Sequence, residues 1–239
     1  MFFLVNTFYS IKKTFVLYNI YMNFARFIKG HIKEKSRITM HNYELKIEPY
    51  KEDLSAVSDY LDCAEFQLLT QIAPYKNNNI WTALSVHGYG VNSSDIYKPG
   101  FARNDKKIDS QLQWTSILNK PIMEPIREII ARLPCKFERI RLMKLAAGKS
   151  LRKHNDNIDP DIENKKIVRI HIPIRTNSEV VFTMYENDDD DDGEKLNLKT
   201  GHFYYLDVTK PHSVSNNSSI DRYHLVVDCY VNEELKAIL

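Results

Sequence analysis

The sequence predicts a mainly β fold with flanking helices: a double-sheet jelly roll backed by two helices. Three observations predict it: a size and composition suited to one large core, helical periodicity confined to the first half, and a change to period-two alternation after Pro134. The chain has 239 residues, 43% of them hydrophobic and 27% charged, which suits a soluble globular protein and excludes a disordered or fibrous one. Its 33 basic and 31 acidic residues leave a net charge of +2, so nothing in the overall charge calls for nucleic acid. Cys63, Cys135 and Cys229 are odd in number and widely spaced, without a zinc-binding pattern, and suit a reducing compartment such as the cytoplasm.

From Asp53 to Ile72, Leu54, Val57, Leu61, Ala64, Leu68 and Ile72 recur at spacings of three and four, which places them on one helical face. A second such stripe, Ile122, Ile126, Ile129, Ile130 and Leu133, predicts a helix over 120–133 with Asn119 as its cap, Pro121 tolerated at its start and Pro134 stopping it. Strands are expected at 138–145, 167–174, 180–185, 203–208 and 222–231, with turns at Gly148 and Gly201. Strands that follow one another without intervening helices pair antiparallel, in a sandwich or barrel.

Residues 1–40 read as an N-terminal extension before a single domain, 41–239, with a helical part (41–136) and a β core (137–231). Lys12, Lys13, Arg26 and Lys29 break the aromatic-rich run at 2–28 well short of the ~20 apolar residues a bilayer span requires, so no stable membrane insertion is expected. An interfacial helix or a targeting segment is the alternative for this region.

The strand faces carry the first hint of chemistry. Val168, Ile170, Ile172 and Ile174 share one face and Arg169 and His171 the other; the last strand repeats this, with Arg222, His224 and Asp228 opposite Tyr223, Leu225, Val227 and Cys229. Solvent explains one polar face equally well, but two strands with the same Arg-x-His spacing suggest a shared polar cavity. Five of the eight histidines fall between 154 and 224, a clustering that suits a metal. His154 and Asp156 on an extended segment project to one side, and His212 supplies a third ligand. Two imidazoles and a carboxylate on one face of an octahedron suit Fe(II) and leave the opposite face open. By itself His-x-Asp is a weak signal, since a lone histidine is more often an ordinary surface or core residue. Arg222, ten residues past His212, adds a guanidinium fork that would hold a dicarboxylate bidentately.

The run RLMKLAAGKSLRKHND, then RIHIPIRTN, then LKTGHFYYLDVTKPHSVSNNSSIDRYHLVVD resembles the aspartyl/asparaginyl β-hydroxylase family of Fe(II)- and 2-oxoglutarate-dependent dioxygenases, which includes hydroxylases of free proline. The resemblance covers about residues 137–230 and implies a double-stranded β-helix (jelly-roll, cupin-like) core. It further implies iron at His154, Asp156 and His212, 2-oxoglutarate on Arg222, and Arg169 and His171 contacting 2-oxoglutarate or ordering the metal site. Family members that modify epidermal-growth-factor-like domains have glycine where this chain has Asp156, so a free amino acid or a cytosolic peptidyl substrate is the better expectation. The rival class is a non-catalytic, cupin-like metal or small-molecule binding module. The sequence leaves the oligomeric state open.

Other features read as structural. Asp188 to Asp192 is a solvated hairpin loop, with a weak calcium site as the alternative, His202 is exposed, and Trp81 and Trp114 are core aromatics. Residues 85–103 are a plausible lid over the cavity, and Arg141 reaches substrate or cosubstrate if it is not on the surface.

Overall fold

The computed structural model describes residues 43–63, 81–89, 91–94, 96, 112–156 and 160–239. The N-terminal extension, the helical stripe beyond Cys63, the side chain of Trp81 and most of the expected lid lie outside them.

Among the described residues, ten strands form two antiparallel sheets. In chain order they are β1 (Trp81–Gly88), β2 (Gln113–Trp114), β3 (Phe137–Leu145), β4 (Ser150–His154), β5 (Ile167–Arg175), β6 (Val180–Met184), β7 (Glu194–Leu196), β8 (Tyr204–Tyr205), β9 (His212–Asn216) and β10 (Arg222–Tyr230). The larger sheet runs β2-β1-β3-β10-β5-β8 and the smaller β4-β9-β6-β7. From β3 onward, successive strands cross between the sheets except at the β6–β7 hairpin, the order that winds an eight-stranded jelly roll, with β1 and β2 extending one edge. The expected fold class is therefore observed.

Alternation decides which face does what. Ile140 and Leu142 of β3, Ile170 and Ile172 of β5 and Leu225 and Val227 of β10 are buried on the outer face of the larger sheet. Helix α1 (Ser55–Cys63) lies against β5. At its end Asp62 takes a bidentate grip from Arg175 (2.6 and 2.7 Å) and a hydrogen bond from Tyr223 Oη (2.8 Å), fixing the helix to β5 and β10. The inner face is lined by the apolar cluster of Leu145, Phe182, Met184, Leu198, Tyr204 and Val214, which fills the space between the sheets.

Several elements differ from expectation. The second helix, α2 (Glu124–Ala131), starts later, after 3-10 turns at Ser116–Asn119 and Pro121–Met123, so Met123 rather than Asn119 stands at its N-cap. Pro121 opens the 3-10 turn, where its missing N–H costs nothing. Its stripe is buried as expected at Ile126, Ile129, Ile130 and Leu133. The strand expected at 203–208 is only β8, because the turn with Gly201 is fastened to Tyr50: Tyr50 N–H donates to Gly201 O at 2.9 Å. Gly201 has φ +78° and a Cβ there would sit 2.1 Å from Tyr50 O, so glycine is required. The expected lid begins with Ser85, yet Ser85 to Gly88 belong to β1, buried beside β3, and carry no lid. Helices α3 (Pro160–Glu163) and α4 (Glu233–Ile238) complete the described elements. The acidic run is the solvated β6–β7 hairpin, as expected, with Asp190 accepting from the backbone of Glu186, Asp192 and Gly193.

Candidate metal centre

Strands β4 and β9 pair antiparallel with His154 directly opposite His212, which brings their ring centroids to 4.3 Å. Each imidazole is oriented by its own strand. His154 Nδ1 lies 2.6 Å from Arg152 O and His212 Nδ1 lies 3.0 Å from Lys210 O. A carbonyl only accepts, so both Nδ1 atoms donate, which leaves Nε2 of each ring as the atom to face a metal. Burial holds the His212 pKa down at about 4, against the pull of Asp156, so this ring is neutral at pH 7.

Asp156 follows β4, tied by its N–H to Val208 O at 2.8 Å. Its Oδ1 lies 3.8 Å from His154 Nε2, while Oδ2 accepts from Arg169 Nη1. Burial would raise this carboxyl, but Arg169, His212 and His154 outweigh it and hold its pKa below the ordinary value. Ligand atoms of His154, Asp156 and His212 all lie within 4.8 Å of one another. Two nitrogen lone pairs and one ionised oxygen on one side of a cavity fit a divalent transition metal of the two-histidine, one-carboxylate kind.

Arg169 is itself held. Its Nε and Nη2 donate to Asp228 Oδ1 and Oδ2 at 2.6 and 3.1 Å, and Asp228 also accepts from Arg139 Nε at 3.0 Å. Asp228 is fully buried, and despite burial these arginines keep it ionised, with a pKa far below the usual carboxylate range. Cross-strand register explains the meeting, since Asp228 of β10 opposes Arg139 of β3 and Arg169 of β5.

His171 and Arg222 sit elsewhere on the same face. His171 packs edge-on against Phe182 (5.7 Å), which stacks on His212 (5.6 Å), so His171 touches the centre through one aromatic ring. Its Nδ1 is 3.4 Å from His224 Nδ1. Burial and then the neighbouring arginines push the pKa of both histidines well down, so both are neutral. Arg222 opens β10, opposite Leu145 of β3. It is buried, its Nε has no hydrogen-bond partner among the described residues, and burial alone lowers its pKa to about 10.

The structure thus joins His154, Asp156, His212 and Arg169 in one contact network and leaves Arg222 and His171 along the same wall. Asp228, Arg139 and His224 were given no role in the sequence reading. The alternation that exposed Arg169 and His171 also put Asp228 on the polar face, but only register shows that three arginines meet there. Arg141 is 3% exposed, so it is not a surface arginine. Two structural readings are corrected. Trp114 is 43% exposed because β2 is an edge strand. His202 is only half-buried rather than exposed, because Glu44 Oε1 lies 2.6 Å from its Nδ1.

A family model described as aspartyl/asparaginyl beta-hydroxylase matches residues 46–231. No curated protein matches the chain. Solved structures similar to it include a non-heme monooxygenase, ThoJ, in complex with nickel (15% identity over 48% of this chain and 52% of that one, TM-score 0.34). A predicted oxalate decarboxylase from Thermotoga maritima gives 20% identity over 46% of this chain and 74% of the other, with a TM-score of 0.28. A cupin domain from Bordetella pertussis gives 13% over 39% and 81%, also at 0.28.

Proposed function

The chain belongs to the aspartyl/asparaginyl β-hydroxylase family, and from that premise we propose that it is an Fe(II)- and 2-oxoglutarate-dependent dioxygenase. It hydroxylates an amino acid or an aspartyl-, asparaginyl- or prolyl-type residue, with release of succinate and carbon dioxide. The observation that carries this reading is the convergence of His154, Asp156 and His212 within 4.8 Å, with both histidine Nδ1 atoms already committed to backbone carbonyls.

Iron held by His154, Asp156 and His212 would activate dioxygen, which is reduced by two electrons from 2-oxoglutarate, giving succinate and carbon dioxide, and by two from the substrate C–H bond, giving the alcohol. The chain's own residues do the rest. Arg169 holds one oxygen of Asp156 and leaves the other facing the imidazoles. Phe182 packs against His212 and keeps water from its inner side. Arg222, buried and without a carboxylate partner among the described residues, takes the distal carboxylate of 2-oxoglutarate. The three thiols are free and fit a cytoplasmic setting, and among the described residues no helix is long and apolar enough to cross a membrane.

The test is anaerobic addition of Fe(II) and 2-oxoglutarate, followed by the metal-to-ligand charge-transfer absorption of the complex. In air, succinate release is then measured against an amino-acid panel. Wild type is expected to show the band, and His212→Ala to lose both band and turnover. Arg222→Met is expected to bind iron but need about a hundredfold more 2-oxoglutarate, on the order of 3 kcal/mol. Absence of the band in wild type would overturn the reading in favour of a binding module.

A further inference from the structure

One transverse row of the inner face holds more polar atoms than the metal centre and its arginine network use. Register aligns Ser85 of β1 with Arg141 of β3, Arg141 with Val226 of β10, and Val226 with His171 of β5. Ser85 is fully buried and Arg141 and His171 nearly so, yet Ser85 Oγ, Arg141 Nε and His171 Nε2 have no hydrogen-bond partner among the described residues. Buried polar atoms left without partners on adjacent strands mark a place for a ligand.

The charges show which kind. Asp228 is surrounded by Arg139, Arg141 and Arg169, but its oxygens are taken by two of them. Arg139 Nε and Nη2 each lie 3.0 Å from Oδ2, and Arg169 spans both oxygens. Arg141 Nη2 stands off at 3.7 Å, beyond hydrogen-bond length. Asp156 has one oxygen on Arg169 and the other facing His154. The third guanidinium therefore shares Asp228 only through a 3.7 Å ion pair and has no hydrogen-bonded carboxylate among the described residues, in a place where a buried charge needs one. Asp228 links this charge to the metal centre, since the Arg169 that it holds also grips Asp156.

We propose that Arg141, with the hydroxyl of Ser85 beside it, binds a carboxylate of the molecule that is oxidised, so that the substrate is a small carboxylate-bearing compound and its neutral carboxamide is excluded. This rests on the dioxygenase reading. Two buried guanidiniums on one face without a hydrogen-bonded carboxylate among the described residues give two anion sites. Arg222 serves the cosubstrate and Arg141 the substrate, four residues apart on the register of β10, or about 13 Å.

The experiment uses the iron- and 2-oxoglutarate-loaded full chain. Succinate release in air is measured with the twenty amino acids and, in parallel, their carboxamides. Stimulation is expected only from carboxylates. For the best responder, Arg141→Gln should raise KM about a hundredfold and Arg141→Lys should recover part of that. Anaerobic titration of the charge-transfer band separates the failures: no band in wild type sinks the dioxygenase reading itself. A normal band with amides as effective as carboxylates, with no responder at all, or with an Arg141→Gln shift in 2-oxoglutarate affinity as large as the KM shift, sinks this inference alone. A second variant needs no substrate. Arg141→Met, which removes a buried charge held only by a 3.7 Å ion pair, should raise the thermal midpoint of the apo protein by a few degrees, whereas Arg139→Met, which breaks 3.0 Å hydrogen bonds to Asp228, should lower it. If Arg141→Met lowers the midpoint as Arg139→Met does, Arg141 is a strut of the Asp228 cluster and the proposal falls.

Discussion

The two ends of β10 place buried guanidinium groups in opposite circumstances. At the Asp228 end, Arg139 and Arg169 close on a carboxylate that has no solvent exposure. At the other end, about 20 Å away along the strand, Arg222 is as deeply placed, with no carboxylate in an ion pair with it among the described residues. Both arrangements remove charge from water, but only the first returns the lost hydration through fixed partners. One strand therefore builds structure at one end and leaves a deficit at the other that only a ligand fills. The metal centre draws on the structural end through Arg169, and the proposed cosubstrate on the deficient end.

The largest test of this contrast removes the structural carboxylate. Asp228→Asn leaves three guanidiniums around a neutral amide and should destabilise the protein by about 4 kcal/mol in urea unfolding. Fe(II) affinity should fall as well, because Arg169 would no longer be held where it orients Asp156. Arg222→Met should leave the unfolding midpoint unchanged or higher. A loss below about 1 kcal/mol in Asp228→Asn, or a comparable loss in Arg222→Met, would erase the distinction.

Much of this contrast was legible in the sequence, and the unread part has a common cause. Alternation in β5 and β10 assigned Arg169, His171, Arg222 and Asp228 to a polar face, and the resemblance supplied the ligand set that β4 and β9 bring together. Strand β4 itself was missed because Ser150 to His154 lie half-exposed at the mouth of the cup and show no apolar period. The strand character of β1 was hidden because residues 82–88 are buried on both faces and do not alternate. What no periodicity conveys is register. That Ser85, Arg141 and His171 share one row, or that Asp228 meets three arginines, depends on how strands pair across gaps of many residues.

A smaller effect sharpens the deficient end. Asn216 is fully buried and donates from Nδ2 to Leu145 O, Ala146 O and Ile220 O at 3.1, 3.2 and 2.8 Å. Its Oδ1 accepts from Ser218 N and Oγ, so one side chain ties the end of β3 to the turn that delivers Arg222. Asn216→Ala should cost about 2–3 kcal/mol, through carbonyls left without a donor. It should also weaken 2-oxoglutarate binding several-fold with iron affinity kept, as followed by the charge-transfer titration. Equal loss of both would mean that the two ends are not separately supported.

The smallest effect of a single substitution concerns protons and isolates the middle of the same face. His171 and His224 meet through their Nδ1 atoms at 3.4 Å, one donating and the other accepting, so both rings are neutral with opposite tautomers. Burial first, then Arg169 and Arg222 for His171 and Arg222 for His224, place their folded pKa values well below 6.5. In the unfolded chain they titrate near 6.5, so as pH falls below about 6.5 the unfolded state takes up protons that the folded state refuses. Stability is therefore whole above that pH and declines below it, by up to about 1.4 kcal/mol per pH unit for each histidine. His212 adds to the decline until its own pKa of about 4. The contribution of Asp228, whose folded pKa is depressed, is present above its ordinary range near 4 and is lost only as pH falls below that, so the histidines act alone between about pH 6.5 and 5. Urea unfolding of chelator-treated protein across that window should show the slope, and His224→Gln should reduce it by one histidine's share. A flat profile would mean that the pair takes up protons while folded, and that the middle of the sheet is wetter than its register implies.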